Sequence, residues 1–262
     1  MFDFHIHTTF SDGKSSPEEI IKKAIELNFS AVGIADHFSI PPTVPPPPFY
    51  LFGDRMDKYF SEIDRLKRKY EDRIEIVVSC EANYYKENWE ETLSSVRKYK
   101  PDYILGTVHD VYGEEYLDYW RLGGKIRDFK YLGRFLEAET ELVKTGQIDL
   151  LAHCDLYLQF GEFDYRDFYD YSIELAGLCQ ETGTAVEINT QNGRRGQIEN
   201  DPEHFMIKEF IKRDVPIVLS SDCHNDEIGW CFRENFEILK SLGMKYTCRF
   251  RDGKMIPEIF NP

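Results

Sequence analysis

Short apolar segments alternate with longer amphipathic segments along most of the 262-residue chain. The apolar segments have the length of buried strands, and the amphipathic segments repeat their apolar residues at helical spacing. Strand followed by helix, repeated, is typical of a parallel sheet covered by helices. The pattern predicts strands at residues 2–6, 31–35, 74–79, 103–108, 148–152, 184–188 and 216–219, with a last strand at 245–250.

Helix boundaries are best marked at the first helix. Ser16 is placed to cap it, Pro17 occupies its first position, and Glu18 and Glu19 lie in its first turn. Residues 40–49 form a proline-rich loop, which can be neither helix nor interior strand. This loop is either a stiff surface connection or a rim that helps to close a site. The other predicted helices span residues 54–71, 89–99, 129–144, 165–180, 202–213 and 229–242.

Histidine or carboxylate side chains stand at the ends of nearly all the predicted strands. In a closed parallel barrel these ends meet at one mouth, whereas the outer strands of an open sheet would lie too far apart to share a site. We therefore predict one α/β domain over residues 1–262, a TIM-like barrel that is irregular or one strand short of eight. The strand-end residues are His5, His7, His37, Glu81, His109, His153, Asp222 and His224.

The spacing of His5 and His7 suits metal binding, because alternate residues of a strand point to the same side. Asp12 follows in a Ser-Asp-Gly turn that could fold back beside them. Imidazoles with a carboxylate suit zinc, manganese or iron. Each histidine alone could equally be a hydrogen-bonded core residue. All of the seven histidines except His204 fall at strand ends, however, which favours a shared metal site; His204 is interpreted as structural.

The candidate ligands are too many for one zinc ion, which takes four protein ligands or three and a water. Two or three divalent ions are therefore implied, with Glu81 as the carboxylate that bridges them. A multinuclear centre can deprotonate water, bind phosphate oxygens and stabilise a leaving oxygen. The predicted chemistry is hydrolysis of a phosphate ester.

The net charge and the cysteine content limit which binding partners and which cellular compartment are expected. The net charge of −15 opposes a broad electrostatic grip on nucleic acid, so no nucleic-acid partner is expected. Six scattered cysteines form no Cys-x-x-Cys pair, which fits a reduced, cytoplasmic setting. Neither a signal peptide nor an apolar run of membrane-spanning length is evident, so no membrane association is expected.

Taken in order, several motifs resemble those of the PHP family, the polymerase and histidinol phosphatase superfamily. They are His5-Ile6-His7 with Asp12, Asp36-His37, Glu81, His109, His153 and Asp222-Cys223-His224. Residues 148–156, and residues 187–190 followed by Arg194, resemble the stand-alone histidinol-phosphatase branch. This resemblance implies a distorted (β/α)7 barrel with a trinuclear metal site. It implies one ion on His5, His7, Glu81 and Asp222, a second on Glu81, His109 and His153, and a third on Asp12, His37 and His224.

The resemblance also implies an activity. The expected enzyme is a metal-dependent phosphoric monoester hydrolase that cleaves L-histidinol phosphate in histidine biosynthesis, by in-line attack of a metal-bridging hydroxide. Glu81, Asp222 and His224 are the candidate catalytic residues, and Arg194 and Asn189 are the candidate substrate contacts. Arg194 could instead be a solvated loop charge.

Gln159 departs from the branch, whose members often carry a basic residue there, and this leaves the substrate open. The alternative is a PHP-type phosphatase for another small phosphomonoester, such as a nucleotide or sugar phosphate. A phosphodiesterase or nuclease is disfavoured by the acidic charge. A non-catalytic metal-binding module is disfavoured by the complete ligand set.

Overall fold

A computed structural model describes residues 1–42, 45–111, 117–118, 129–156, 165–190 and 203–259. Seven parallel strands form one sheet whose spatial order follows the chain order. This is the α/β barrel architecture that the pattern predicts. The strands are β1 (Phe2–Asp3), β2 (Ala31–Phe38), β3 (Glu75–Asn83), β4 (Leu105–Thr107), β5 (Leu150–Leu151), β6 (Ala185–Asn189) and β7 (Ile217–Ser220).

The first and last strands of this sheet approach each other and nearly close it into a barrel. Ile6 forms a parallel bridge with Cys223, and the His7 backbone N–H donates to the Cys223 carbonyl oxygen at 2.9 Å. The buried Asp3 carboxylate strengthens this seam, since it accepts hydrogen bonds from the backbone N–H groups of Ser221 (3.0 Å) and Gly229 (3.1 Å). All strand ends therefore open at one mouth.

Helices follow the strands and bury their apolar sides against the sheet. The first helix begins as predicted, with a capping box in which Ser16 and Glu19 bond each other's backbone N–H groups. In the described part of the chain, no helix is long and apolar enough to cross a membrane. The helices are α1 (Pro17–Glu26), α2 (Asp54–Tyr70), α3 (Trp89–Arg97), α4 (Phe129–Lys144), α5 (Tyr169–Thr182), α6 (Phe205–Lys212) and α7 (Phe232–Ser241). A 3-10 helix, Tyr165–Phe168, precedes α5.

The structure corrects several predicted strand ends. Strands β2 and β3 pair in parallel beyond residues 35 and 79, as far as Phe38 with Ala82. His37 and Glu81 therefore lie within the strands rather than after them, directly opposite each other. Pairing continues because this part of the sheet is buried and its backbone groups need partners. The first strand is shorter than predicted and ends at Asp3.

The C-terminal strand does not join the barrel. Strands β8 (Thr247–Arg251) and β9 (Lys254–Glu258) form an antiparallel hairpin, of which the sequence pattern predicted only the first strand. Phe250 stacks on Tyr103 with ring centroids 4.4 Å apart and contacts Phe4 edge-on at 5.7 Å. The hairpin thus covers the amino-terminal end of the barrel, opposite the mouth. A second short antiparallel pair, Asp110–Val111 with Leu117–Asp118, lies between residues 108 and 129, where the sequence pattern predicts neither strand nor helix.

Candidate metal centre

The most buried ligand group lies where the first and last strands meet. His5 and His7 direct their Nε2 atoms toward each other at 3.0 Å. His7 Nε2 is 3.1 Å from Asp222 Oδ1 and 3.5 Å from Glu81 Oε2, and His5 Nε2 is 3.5 Å from Asp222 Oδ1. Two ligands bonded to one zinc ion at about 2.0–2.1 Å in tetrahedral geometry lie about 3.4 Å apart. These four side chains therefore have the spacing of a single ion's ligands.

Glu81 also faces a second pair of histidines. Its Oε1 atom is 2.9 Å from His153 Nε2 and 3.3 Å from His109 Nε2, and these two nitrogens are 3.4 Å apart. Its Oε2 atom faces His7 at 3.5 Å. The two oxygens of one buried carboxylate thus have different nearest histidines, His153 at 2.9 Å for Oε1 and His37 at 2.7 Å for Oε2. This arrangement suits a bridging ligand.

The third group lies at the solvent edge. Asp12 Oδ1 is 3.5 Å from His37 Nε2 and 3.4 Å from His224 Nε2. The side chains of Asp12 and His224 are 34% and 28% exposed, whereas Glu81 is 1% exposed. The mouth therefore opens to solvent at this group, and a substrate can approach it there.

Two orphaned atoms between the groups fit a bound cation. Glu81 Oε2 and His37 Nδ1 are buried and lie 2.7 Å apart, yet neither has a hydrogen-bond partner of acceptable geometry among the described residues. A buried carboxylate oxygen without a partner is costly, and a positive ion would offset that cost. The donor set of imidazoles and carboxylates suits zinc, manganese or iron.

Glu187 orients two of these histidines, and sequence analysis assigned it no role. Its Oε1 accepts a hydrogen bond from His5 Nδ1 at 2.7 Å, and its Oε2 accepts from the His153 backbone N–H at 2.9 Å. Because Nδ1 donates to Glu187, Nε2 is the nitrogen of His5 that would bind a metal ion. The available signal was its position two residues before Asn189 on a strand, which places both on one side.

Asp36 is a second residue whose role the sequence left open. Its buried carboxylate accepts hydrogen bonds from the backbone N–H and the hydroxyl of Thr8, both at 2.7 Å, and from the Ser11 hydroxyl. These residues belong to the Asp12 loop, residues 8–13. Asp36 therefore holds the inner side of the loop that carries Asp12.

Opposed effects set the pKa values of the histidines. Burial lowers the pKa of His37, but the carboxylates of Glu81 and Asp12 outweigh burial and raise it to about 10. Burial also lowers the pKa of His153, but the Glu81 carboxylate outweighs burial and raises it to about 9. At His7, burial and the neighbouring imidazoles of His224 and His37 lower the pKa to about 3.

The carboxylates show the complementary effect. Burial raises the pKa values of Asp12, Glu81 and Asp222, but the surrounding histidines outweigh it and bring each below its ordinary range. Without metal, the ionised carboxylates of the centre are therefore balanced by protons on imidazoles such as His37 and His153, while His7 is neutral. A bound cation could replace the charge of those protons.

The structure brings all the predicted metal-ligating side chains to the mouth. Asn189 also lies there, with its amide Nδ2 donating to Asp222 Oδ2 at 3.1 Å and to Glu187 Oε2 at 3.2 Å. Arg194, Gln159 and most of the loop after His109 lie outside the described residues. The end of the proline-rich loop lines the site, which favours its interpretation as a rim. Phe49, its last residue, contacts the His37 ring edge-on, and the next residue, Tyr50, stacks on that ring at 5.4 Å.

Comparison with known proteins identifies the family. Residues 3–191 match the family model described as the PHP domain. The chain belongs to the PHP domain family. A PHP-type metal-dependent phosphatase, as predicted, is thereby confirmed, with buried histidine and carboxylate groups at the barrel mouth.

This PHP chain is similar to relatives over nearly its full length. It is 24% identical to a probable histidinol-phosphatase of Deinococcus radiodurans, covering 97% of this chain and 98% of the relative. It is 24% identical to a histidinol-phosphatase of Lactococcus lactis, covering 97% and 95% of the two chains. The crystal structure of the Lactococcus lactis histidinol phosphate phosphatase, complexed with zinc, L-histidinol and phosphate, matches with a TM-score of 0.80 at 19% identity, covering 97% and 98%. This structural match confirms the fold.

Proposed function

We propose that this protein hydrolyses L-histidinol phosphate to L-histidinol and phosphate. The observation that carries the proposal is the position of Glu81, whose two oxygens face different histidine groups in the mouth of a PHP barrel. The substrate is supported by the full-length similarity to proteins named histidinol-phosphatases. A cytoplasmic location and a single-domain organisation remain predictions from the sequence.

Two or three divalent ions would occupy the three ligand groups. His5, His7, Glu81 and Asp222 would hold one, Glu81, His109 and His153 a second, and Asp12, His37 and His224 a third. Bound ions supply the positive charge that neutralises phosphate oxygens and lowers the pKa of water. The zinc in the Lactococcus lactis structure makes zinc the first ion to test, with manganese and iron as the alternatives.

The proposed catalytic residues have different roles, which follow from their positions in the site. Glu81 is fully enclosed and can act only as a ligand and charge partner. Asp222 turns Oδ1 toward His7, while its Oδ2 accepts from Asn189, so both oxygens are held in place. His224 stands at the open edge with its Nδ1 donating to the Asp222 carbonyl oxygen at 2.9 Å, and its Nε2 is left to face the site. The phosphate would therefore lie beside His224, with its organic group toward solvent.

Arg194 and Asn189 are the proposed substrate contacts. A planar guanidinium matches two oxygens of a phosphate group. We expect Arg194→Ala to raise KM for the phosphate ester about 10-fold to 150-fold, since a lost hydrogen bond to a charged group costs roughly 1.5–3 kcal/mol. Unchanged KM and kcat would remove Arg194 from the site. For Asn189, the bonds to Asp222 and Glu187 support an additional positioning role.

The deciding experiment is phosphate release from L-histidinol phosphate beside a panel of nucleotide and sugar phosphates, with added zinc or manganese. The Glu81→Gln variant serves as the control for contaminating phosphatase. A preference for L-histidinol phosphate supports the proposal. Hydrolysis of the other phosphate esters without hydrolysis of L-histidinol phosphate would support a phosphatase with a different substrate. Metal binding without any turnover would indicate a non-catalytic module.

A further inference from the structure

Arg55 joins two segments that form opposite sides of the third ligand group. It lies in the first turn of α2. Its Nη1 atom donates to the carbonyl oxygens of Pro48 at 2.8 Å and Tyr50 at 3.4 Å, and its Nη2 atom donates to the Phe10 carbonyl oxygen at 2.5 Å. Pro48 and Tyr50 belong to the wall segment, residues 45–51, and Phe10 belongs to the Asp12 loop.

Both segments touch the ligands directly. In the wall segment, Tyr50 stacks on the imidazole of His37, and the Leu51 backbone N–H donates to the His37 carbonyl oxygen at 2.9 Å. In the Asp12 loop, Asp12 follows Phe10 by two residues and faces His37 and His224. The Arg55 guanidinium thus connects the segment that packs against His37 to the backbone beside Asp12.

The location of Arg55 in its helix needs such an explanation. A cation in the first turn of a helix faces the positive end of the helix dipole, which is unfavourable by about 0.3–1 kcal/mol. Asp54 and Asp57 are the residues expected there. The carbonyl oxygens of two loops provide the favourable partners, and only the fork of a guanidinium reaches both loops at once.

We propose that Arg55 is a positioning residue that joins the wall segment to the Asp12 loop and so preserves the ligand geometry of Asp12, His37 and His224. Asp36 holds the inner side of the Asp12 loop, and Arg55 holds its outer side at Phe10. Without Arg55, the Asp12 loop loses its hydrogen bond to the side chain that also holds the wall segment. The proposal rests on the metal-binding part of the proposed function but not on the identity of the substrate.

The test compares metal binding by metal-free Arg55→Ala, Arg55→Lys and wild-type protein, titrated with zinc and analysed for the number of ions retained after dialysis. Asp12→Asn provides the reference for loss of the third group. We expect Arg55→Ala to weaken the weakest-bound ion about 10-fold to 100-fold, the usual cost of removing an outer partner of a ligand, and to match Asp12→Asn in ions retained. Arg55→Lys should fall between, because an ammonium can reach only one of the loops.

Lys58→Ala is the matched control, since Lys58 lies one turn further along the same helix, 69% exposed, in contact with Asp54 at 3.5 Å. It should bind metal like the wild type. Full ion retention and unchanged affinity in Arg55→Ala would overturn the proposal. The proposal would also be overturned if Arg55→Ala lost all ions equally and its Tm fell strongly, and if Arg55→Lys restored neither. These measurements use no substrate. They would therefore still test the role of Arg55 if the protein did not cleave L-histidinol phosphate.

Discussion

At the scale of single residues, the partners behind the ligands determine what the ligands can do. Glu187 is completely buried and contacts the far nitrogen of His5. Burial lowers the pKa of His5, but Glu187, followed by Asp222 and Glu81, raises it well above its ordinary value. When His5 Nε2 binds a metal ion, the hydrogen bond to Glu187 keeps the remaining proton on Nδ1.

Glu187→Gln tests this role with little change of shape. The amide lacks the negative charge that favours a proton on His5 Nδ1, so we expect metal affinity to fall about 10-fold to 100-fold. Isothermal titration of the metal-free protein would measure it. Glu174→Gln, at a half-exposed position that contacts Lys144, is the control and should bind metal normally. Wild-type affinity in Glu187→Gln would contradict the assignment.

At the scale of elements, the backbone of the Asp12 loop is closely folded on itself. The N–H groups of Ser11 and Gly13 both donate to the Thr8 carbonyl oxygen, at 2.9 and 3.0 Å. A Cβ atom at Gly13 would come within 2.4 Å of the His7 carbonyl oxygen and 2.6 Å of the Thr8 nitrogen. Glycine is needed here because backbone, rather than a movable side chain, fills the space.

We expect Gly13→Ala to displace the Asp12 loop and to lower both metal retention and kcat, as a ligand moves away from its group. Gly177→Ala in α5 is the matched control, because nothing lies within 4 Å of its added Cβ. That control should raise the free energy of unfolding by about 0.4–1 kcal/mol through helix propensity. Metal analysis and urea unfolding measure both variants. Normal metal retention in Gly13→Ala would show that the loop can shift without moving Asp12.

At the scale of the whole molecule, an acidic protein concentrates buried carboxylates at one end of its barrel. Metal-free protein balances them with protons on His37 and His153, whose pKa values rise to about 10 and about 9. A histidine with a raised folded-state pKa stabilises the fold fully below its unfolded value of about 6.5. That stabilisation is lost as pH rises through the folded-state pKa.

The metal-free protein should therefore lose stability between about pH 6.5 and pH 10. The metal-loaded protein should lose less over the same range, because bound ions replace the protons, and metal affinity should rise with pH. Glu139, whose pKa burial raises to about 8, adds to this loss, because a carboxyl group with a raised folded-state pKa destabilises the fold as pH rises toward that value. Urea unfolding across this range, with chelator or with zinc, checks the difference. Parallel pH profiles would contradict the exchange of protons for metal.

The sequence by itself determined the barrel and predicted the candidate ligands, because periodicity gives the strands and the residue types at their ends suit metal binding. Alternation of strand and helix predicts a parallel barrel, and alternation within a strand predicts that His5 and His7 share a side. Strand ends of such a barrel must converge, so the ligands could be named in order without coordinates. The limits of β2 and β3 were wrong, because pairing between buried strands continued past the apolar pattern.

Only the tertiary structure decided which groups stand behind the ligands. Glu187 contacts a histidine 182 residues away, and Arg55 reaches the carbonyl oxygens of two separate loops. The C-terminal hairpin covers the far end of the barrel although its first strand looks like any other in the sequence. Such contacts depend on strand register, on loop path and on barrel closure, which bring together residues that share no local pattern. Periodicity therefore specifies the elements and their ends, and packing specifies their partners.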